Sequence, residues 1–222
     1  MISEAYNRDC LEAMKEMEDN AFELAIVDPP YGIGEDGGDK QRRRGYGAVV
    51  VHQRKQWDNA KPSAEYFTEL FRVSKNQLIC GANYFAEYLP STMGWVFWDK
   101  KMGGDFSDGE LIFTSFQKAL RKFEVSPFHQ LHGGHHRIHP TQKPVALYKW
   151  LLTNYAKPGD KILDTHLGSG SSRIACYDLG FDFVGYELDK DYFEAQEERF
   201  ARHIAQPKLF IPETKIEQGV LI

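Results

Sequence analysis

A hydrophobic run near the N-terminus ends in a cluster of residues that suits the chemistry of an amino group. The run FELAIV is followed by Asp28, Pro29, Pro30 and Tyr31. The carboxylate of Asp28 and a carbonyl held rigidly by the prolines offer two hydrogen-bond acceptors, and Tyr31 offers a flat stacking surface. Such a set would bind both N–H groups of a planar amine and make its nitrogen more nucleophilic. A Pro-Pro turn beside an incidental tyrosine is the alternative interpretation.

A second motif, KILDTHLGSGSSRIA, has the features of a nucleotide-binding loop. Its apolar run ends at Asp164, and the Gly-Ser-Gly turn at 168–170 would let a ligand approach the backbone closely. Glu187 ends the next apolar run, where an acidic side chain can accept both ribose hydroxyls of a nucleoside. A dinucleotide motif would have glycine in place of Arg173, so the pattern favours a nucleoside cofactor without a pyrophosphate.

Both motifs need a sheet that brings their strand ends together. Six short apolar runs predict strands, at 22–27, 77–81, 95–98, 110–114, 161–164 and 182–186. Helical spacing of apolar residues lies between them, most clearly at 145–155, 171–179 and 191–203. Alternating strands and helices indicate an α/β domain with a mostly parallel sheet, in which ligands bind beyond the carboxyl ends of the strands.

The composition fits one globular domain and excludes a generic polycation. The chain has 222 residues, of which 42% are hydrophobic and 27% charged, and its formal net charge is -5. Any contact with nucleic acid must therefore come from a local basic patch. Three widely spaced cysteines without a CxxC pair argue against a disulfide framework and a zinc ribbon. The absence of a signal-like start and of a long apolar segment predicts a cytoplasmic protein without a membrane partner.

Taken with a third motif, these features resemble the S-adenosylmethionine-dependent DNA amino-methyltransferases. The third motif is HPTQKP at 139–144, and the segment NRDCL at 7–11 also looks like that family. The order, with DPPY before the cofactor loop, is that of the permuted group called β-class. One departure is Thr165-His166, where the family commonly has Pro-Phe.

The resemblance covers most of the chain and implies its fold. The expected fold is a single Rossmann-like methyltransferase domain over residues 1–222, circularly permuted, with helices on both faces of a mostly parallel seven-stranded sheet. A basic target loop at 32–59 and a small target-recognition insert at about 115–139 would complete it. A prokaryotic or phage-infected cell is the expected setting.

The resemblance also implies the roles of individual residues. The catalytic residues would be Asp28, Pro29, Pro30 and Tyr31. Asp9 and Cys10 would lie against the adenine of S-adenosylmethionine, and Glu187 would hold its ribose. The full set of expected cofactor-binding residues is Asp9, Cys10, Asp28, Lys143, Asp164, Thr165, Gly168, Ser169, Gly170 and Glu187. Neither a metal nor a covalent enzyme intermediate is required.

The implied reaction is methyl transfer to a flipped base of double-stranded DNA, since a paired and stacked amine is out of reach. Adenine N6 is the expected acceptor because Asp28 leads the tetrapeptide, whereas cytosine-N4 enzymes more typically begin with serine. Cytosine N4 and an RNA substrate stay open, as does a catalytically silent DNA-binding module. A protein-glutamine methyltransferase fits less well, because its motif order is the opposite and asparagine typically leads its tetrapeptide.

Basic residues beyond the tetrapeptide predict where DNA phosphates would bind. They fall within sixteen residues that contain no acid and are Lys40, Arg42, Arg43, Arg44, Arg54 and Lys55. The stretch at 32–59 is too long for an ordinary connection, which favours a functional loop over a merely solvated one. We expect Arg137, in the recognition insert, to lie near DNA as well. Because the insert is small, we expect a short recognition sequence or assistance from a homodimer.

Histidines are concentrated in the same insert and raise the question of a metal site. They are His129, His132, His135, His136 and His139. Their spacing is not HExxH, and two glycines interrupt any helix between them. The pattern therefore favours a DNA-side segment, and no metal is predicted.

The basic loop gives a first testable prediction. Changing Arg42, Arg43 and Arg44 together to alanine is expected to flatten the salt dependence of DNA binding, because fewer counterions are released from phosphates. The slope of log K against log salt should fall by about 0.9 for each lost phosphate contact. Titrations of labelled duplex DNA at several salt concentrations measure this slope, and an unchanged slope contradicts the predicted clamp.

Overall fold

One sheet of eight strands organises the part of the chain that the computed structural model describes, which is residues 1–37, 53–103, 107–128 and 137–206. The strands are β1 (Ser3–Tyr6), β2 (Leu24–Val27), β3 (Gln77–Cys80), β4 (Trp95–Asp99), β5 (Gly109–Thr114), β6 (Arg121–Glu124), β7 (Lys161–Asp164) and β8 (Asp182–Tyr186). The helices are α1 (Cys10–Lys15), α2 (Ala64–Val73), α3 (Val145–Tyr155), α4 (Ser171–Leu179) and α5 (Lys190–Ile204).

The strand order is β1-β8-β7-β2-β3-β5-β4-β6, and the sheet is mostly parallel. Strand β5 is antiparallel to both of its neighbours, and every other pair is parallel. The predicted number of seven strands is wrong by one. The six apolar runs are all strands, and the two further strands lie at the edges of the sheet. Because β1 (SEAY) and β6 (RKFE) are largely exposed, neither has the continuous apolar run that marks a covered strand.

Helices cover both faces of the sheet, as the sequence predicts. Alternate residues of β2 point to opposite faces, so Leu24 and Ile26 belong to one buried cluster, and Ala25 and Val27 to another. Helices α3, α4 and α5 contribute to the first cluster, whereas α1 and α2 contribute to the second. Burial on both sides explains why the central strands are apolar throughout.

The order in which strands are added to the sheet changes direction between the parallel neighbours β7 and β2. From β7 the chain continues to β8 on one side, and from β2 it continues to β3 on the other side. Such a reversal opens a crevice beyond the carboxyl ends of the two strands, where ligands bind in open α/β sheets. Strand β2 runs directly into Asp28, and β7 ends at Asp164. The two sequence motifs therefore meet at this crevice.

The two long segments that interrupt the alternation are described only in part. The target loop predicted at 32–59 is described at 32–37 and 53–59. The recognition insert predicted at about 115–139 begins against the sheet, because its residues Arg121–Glu124 form β6 beside β4. Among the described residues, no helix is long and apolar enough to cross a membrane.

A glycine after β3 makes room for the tyrosine of the DPPY motif. Gly81 has a φ angle of 62°, in the left-handed region, and begins a short 3₁₀ turn at Ala82–Tyr84. A β-carbon added to Gly81 would lie 2.2 Å from two ring carbons of Tyr31. Both the backbone conformation and the space therefore require glycine at this position.

Replacing this glycine is expected to lower stability more than backbone strain by itself explains. Gly81→Ala should lose about 1–2 kcal/mol from the left-handed conformation, with a further loss from the clash with Tyr31. Gly159→Ala is the matched control, because Gly159 has a φ angle of 91° and open space around an added β-carbon. Urea denaturation of both variants measures the difference, and equal losses would show that the Tyr31 ring yields freely.

Candidate active site

A cavity of about 680 Å³ lies at the crevice between β2 and β7. The catalytic tetrapeptide predicted from the sequence lines it in full, from Asp28 to Tyr31. Eight of the ten residues predicted to bind the cofactor also line it: Asp9, Cys10, Asp28, Lys143, Thr165, Gly168, Ser169 and Glu187. The structure thus brings together residues that are up to 178 positions apart, which span Asp9 to Glu187.

Asp28 is held by two groups that converge on one of its oxygens. Its Oδ1 accepts a hydrogen bond from the Lys143 ammonium at 2.5 Å and lies 2.7 Å from the Tyr31 hydroxyl. Lys143 comes from the HPTQKP segment and is almost fully buried. Sequence reasoning placed Lys143 among the cofactor-binding residues, and its Nζ here binds the carboxylate of Asp28. The HPTQKP segment therefore braces the DPPY motif directly.

A second buried carboxylate completes this cluster. Glu110, near the start of β5, has Oε1 at 2.8 Å from the Tyr31 hydroxyl and 3.1 Å from Lys143 Nζ. Its Oε2 lies 3.1 Å from the ammonium of Lys100. Sequence reasoning missed both Glu110 and Lys100. The available signal was a glutamate that opens an otherwise apolar run, which indicates burial with a partner but does not say where the partner lies.

The charges of the cluster set the protonation of its members. Burial raises the pKa of Asp28, and Lys143 opposes the rise while Glu110 adds to it. Burial acts in the same direction on Glu110, but Lys143 and Lys100 outweigh it and lower the pKa of this carboxyl. Burial would lower the pKa of Lys143, yet its two carboxylate partners raise that pKa above the usual lysine value. Lys143 is therefore a permanent cation at physiological pH.

The Tyr31 ring is backed by aromatic residues that follow β3. It stacks on Tyr84 with ring centroids 4.9 Å apart and planes 14° apart, and Phe85 meets it edge-on. Tyr31 lines the cavity and Tyr84 does not. One face of the ring is therefore supported by protein while the residue itself borders the space where a planar ligand would lie.

The loop after β7 is shaped by Asp164, which does not line the cavity. Its Oδ1 accepts the backbone N–H of His166, and its Oδ2 accepts the Ser172 hydroxyl at 2.5 Å. Burial raises the pKa of Asp164 to about 7. Gly170 also lies outside the lining and packs against Gln196. These two predicted cofactor residues thus shape the loop, whereas Gly168 and Ser169 border the space.

Glu187 faces the cavity from the end of β8. Its Oε2 accepts the backbone N–H of Gly168 at 2.8 Å, and its Oε1 accepts that of Asp189 at 2.9 Å. Burial raises its pKa. In the segment after the neighbouring strand β1, Asp9 caps α1 by accepting the N–H groups of Leu11 and Glu12. An acidic acceptor and a capped helix start therefore flank the same space.

The residues that replace the family's usual Pro-Phe pair form a buried polar chain. The Thr165 hydroxyl lies 2.6 Å from the Tyr66 hydroxyl and 2.9 Å from Nδ1 of His166. His166 Nε2 approaches Cys10 Sγ at 4.0 Å. Burial lowers the pKa of His166 to about 4, so its ring is neutral at physiological pH. A neutral aromatic ring thus stands where the family commonly has phenylalanine.

Three of the predicted DNA-binding residues lie in the described part of the chain, and Lys40, Arg42, Arg43 and Arg44 lie outside it. Arg54 is exposed beside Asp36. The Lys55 ammonium lies 2.6 Å from carboxylate oxygens of both Asp189 and Asp191. The Arg137 guanidinium approaches three backbone carbonyls of its own loop and is 4.6 Å from the Phe128 ring centroid. Lys55 and Arg137 therefore have internal partners, and their contacts with DNA stay predictions.

His139 is the one member of the histidine group that the structure describes. Its ring packs on Trp57 and Tyr192 with centroids 5.0 and 4.3 Å away. In the described ranges, one group of potential metal ligands is found, at Asp28, Cys80 and Glu110. The ammonium of Lys143 binds both of those carboxylates. The positive charge between the two carboxylates of this group is therefore the ammonium of Lys143.

Comparison with known proteins places this geometry in context. The DNA methylase family of N6 and N4 enzymes matches residues 92–198. The type II methyltransferase M.HpaI of Haemophilus parainfluenzae is 25% identical over 86% of this chain and 72% of its own. The crystal structure of the M1.HpyAVI–S-adenosylmethionine complex has a TM-score of 0.61 and 21% identity, covering 90% of this chain and 99% of that one.

A third match is an enzyme whose name states its target base. The cytosine-N4-specific PvuII DNA methyltransferase has a TM-score of 0.61 and 13% identity, covering 88% of this chain and 85% of its own. The fold therefore does not by itself assign the target base. These findings confirm the resemblance predicted from the motifs: the chain is similar to the S-adenosylmethionine-dependent DNA amino-methyltransferases and has their fold.

Proposed function

We propose that this protein transfers a methyl group from S-adenosylmethionine to the exocyclic N6 amine of adenine in double-stranded DNA. The observation that carries the proposal is the meeting of the DPPY tetrapeptide and the cofactor loop at one cavity. Neither motif is specific by itself, whereas their convergence on one crevice provides both an amine acceptor and a nucleoside site.

The cavity has the size and the donor set that the cofactor needs. Its volume of about 680 Å³ is within the range of small-molecule sites. Glu187 would hold the ribose, and Asp9 with Cys10 would lie at the adenine. Gly168, with a φ angle of 51°, leaves its α-carbon open to close approach. When bound, S-adenosylmethionine supplies an electrophilic methyl group.

The tetrapeptide would bind and activate the target amine. Lys143 and Tyr31 occupy Oδ1 of Asp28, so Oδ2 is the oxygen left to accept an N–H of the base. A carbonyl of the Pro-Pro turn would accept the other N–H, and the supported Tyr31 ring would stack on the base. Holding the two reactants in line supplies most of the acceleration, since positioning is worth up to about 7–11 kcal/mol in well-oriented reactions.

The alternative acceptor is the N4 amine of cytosine. Cytosine N4 as the acceptor is favoured by the likeness to the PvuII enzyme and uses the same mechanism. Flipping the target base costs a few kcal/mol in either case, which stacking and the two hydrogen bonds would offset. The comparisons lend no support to the predicted homodimer.

Mass spectrometry of nucleosides tests the reaction and identifies the base. The protein is expressed in a host without DNA amino-methylation, and its genomic DNA is digested and analysed. We expect N6-methyladenine with the unchanged protein and at least about a 100-fold loss with Asp28→Ala, as for removal of one transition-state hydrogen-bond group. Glu198→Gln, on the exposed face of α5 with Arg202 as its ion-pair partner, is the control that should keep full activity.

The possible outcomes separate the alternatives. N4-methylcytosine would keep the mechanism and overturn the choice of adenine. Neither modified base, from protein that binds S-adenosylmethionine by calorimetry, would contradict DNA as the substrate and point to RNA. Absence of cofactor binding would contradict the whole proposal and favour a silent DNA-binding module.

A further inference from the structure

Glu110 is a buried acid that belongs to none of the motifs in the sequence. It lies on β5, the antiparallel strand of the sheet, and only 9% of its surface is exposed. It nevertheless lines the cavity. Burying a carboxylate is costly unless it is paired and hydrogen-bonded, so its position requires an explanation.

Two of the three partners of Glu110 also contact Asp28. The Tyr31 hydroxyl lies between the two carboxylates, at 2.7 Å from Asp28 and 2.8 Å from Glu110. The Lys143 ammonium also touches both, at 2.5 and 3.1 Å. Each of the two groups that hold Asp28 is thus held in turn by Glu110. Lys100 fixes the other oxygen of Glu110 from the end of the neighbouring strand β4.

The charge of Glu110 also matters at this position. Without it, the buried pair of Asp28 and Lys143 would have no net charge, and Asp28 would be the one carboxylate to offset the Lys143 ammonium. With it, Asp28, Glu110 and Lys143 carry a net negative charge when both carboxylates are ionised, and Lys100 balances that charge from the far oxygen of Glu110. In the proposed reaction, positive charge moves from the sulfonium to the attacking amine, and negative charge nearby stabilises that change.

We propose that Glu110 is a positioning residue for methyl transfer, which holds Tyr31 and Lys143 against Asp28 and offsets the charge of Lys143. This inference rests on the proposed function. Glu110 does not need to touch the base or the cofactor. Its effect reaches the reaction through the orientation of the Tyr31 ring and through the availability of the Asp28 carboxylate.

The test is a comparison of Glu110→Gln with the unchanged full-length protein. Glutamine has the same shape but lacks the charge. It has one accepting oxygen, so it cannot accept from Tyr31 and Lys143 on one side and from Lys100 on the other, as the two carboxylate oxygens of Glu110 do. We expect kcat for methylation of unmethylated genomic DNA to fall by about 100-fold, the scale of a misplaced reacting group. Binding of S-adenosylmethionine, measured by calorimetry, should stay the same because Glu187 and the loop after β7 are untouched.

A pH profile separates positioning from a merely structural contribution. The titratable groups that interact electrostatically with Asp28 are Lys143, Tyr31, Glu110, Cys80, Asp164, Tyr66 and Tyr148. Glu110 raises the pKa of Asp28, so its replacement by glutamine should lower that pKa. Because Asp28 must be ionised to accept the amine, the acid limb of kcat should move to lower pH. The other interacting groups are the same in both proteins, so they do not account for a shift between them.

Two further variants complete the design. Glu110→Asp keeps the charge but shortens the reach, so kcat should fall while the acid limb stays in place; it also tests the inference if Glu110→Gln does not fold. Asp178→Asn is the matched control. It removes the charge of a largely buried acid on α4 that is paired with Lys149 and His203 and does not line the cavity. It should leave kcat and the acid limb unchanged.

The outcomes distinguish this inference from the proposed function. If the unchanged protein methylates DNA and Glu110→Gln keeps both its kcat and its acid limb, Glu110 has no positioning role. A fall in kcat with an unmoved acid limb would overturn the electrostatic part of the inference. If the unchanged protein methylates nothing, the proposed function itself has failed.

Discussion

The ion pair between Lys143 and Asp28 is the contact on which the arrangement of the site depends. It joins the HPTQKP segment before α3 to the end of β2, across 115 positions of sequence. Burial of this depth would be unfavourable for either charge without the other, since an unpaired buried charge costs several kcal/mol. Glu110 extends the pair to β5. Three separate parts of the chain therefore meet in one buried cluster of charges.

The crevice lies between β7 and β2, where the order of the strands changes direction. Parallel neighbours β2 and β7 end at the same edge, so the segments that follow them border one crevice although they are far apart in sequence. Both oxygens of Asp164 accept hydrogen bonds from the segment that follows it. In Asp28, one oxygen accepts from both Lys143 and Tyr31. Asp164 therefore shapes the loop that follows it, whereas Asp28 keeps its second oxygen as an acceptor for a ligand. The same residue type serves two purposes because its partners differ.

The sequence was informative where a strand delivers a side chain to the crevice. Asp28 and Glu187 follow apolar strands of the covered kind, so strand prediction was sufficient to place them. Glu110 could not be found in this way, because its role depends on which strand lies next to β3. That neighbour is antiparallel and comes from a later part of the chain. The edge strands β1 and β6 were missed for a related reason, as their polar residues carry no sign of pairing.

Charge counting was least informative for residues whose partners are distant. Lys55 lies in a run without acids, yet its ammonium binds Asp189 and Asp191 at the start of α5. Asp58, three residues further, accepts the N–H groups of Gly32 and Glu35 directly beyond the tetrapeptide. The segment from Lys55 to Asp58 therefore connects the residues after the DPPY tetrapeptide to the start of α5, close to Glu187. One residue of the basic run, Lys55, is thus an internal ion-pair partner of Asp189 and Asp191, although the run by itself predicts contacts with DNA phosphates.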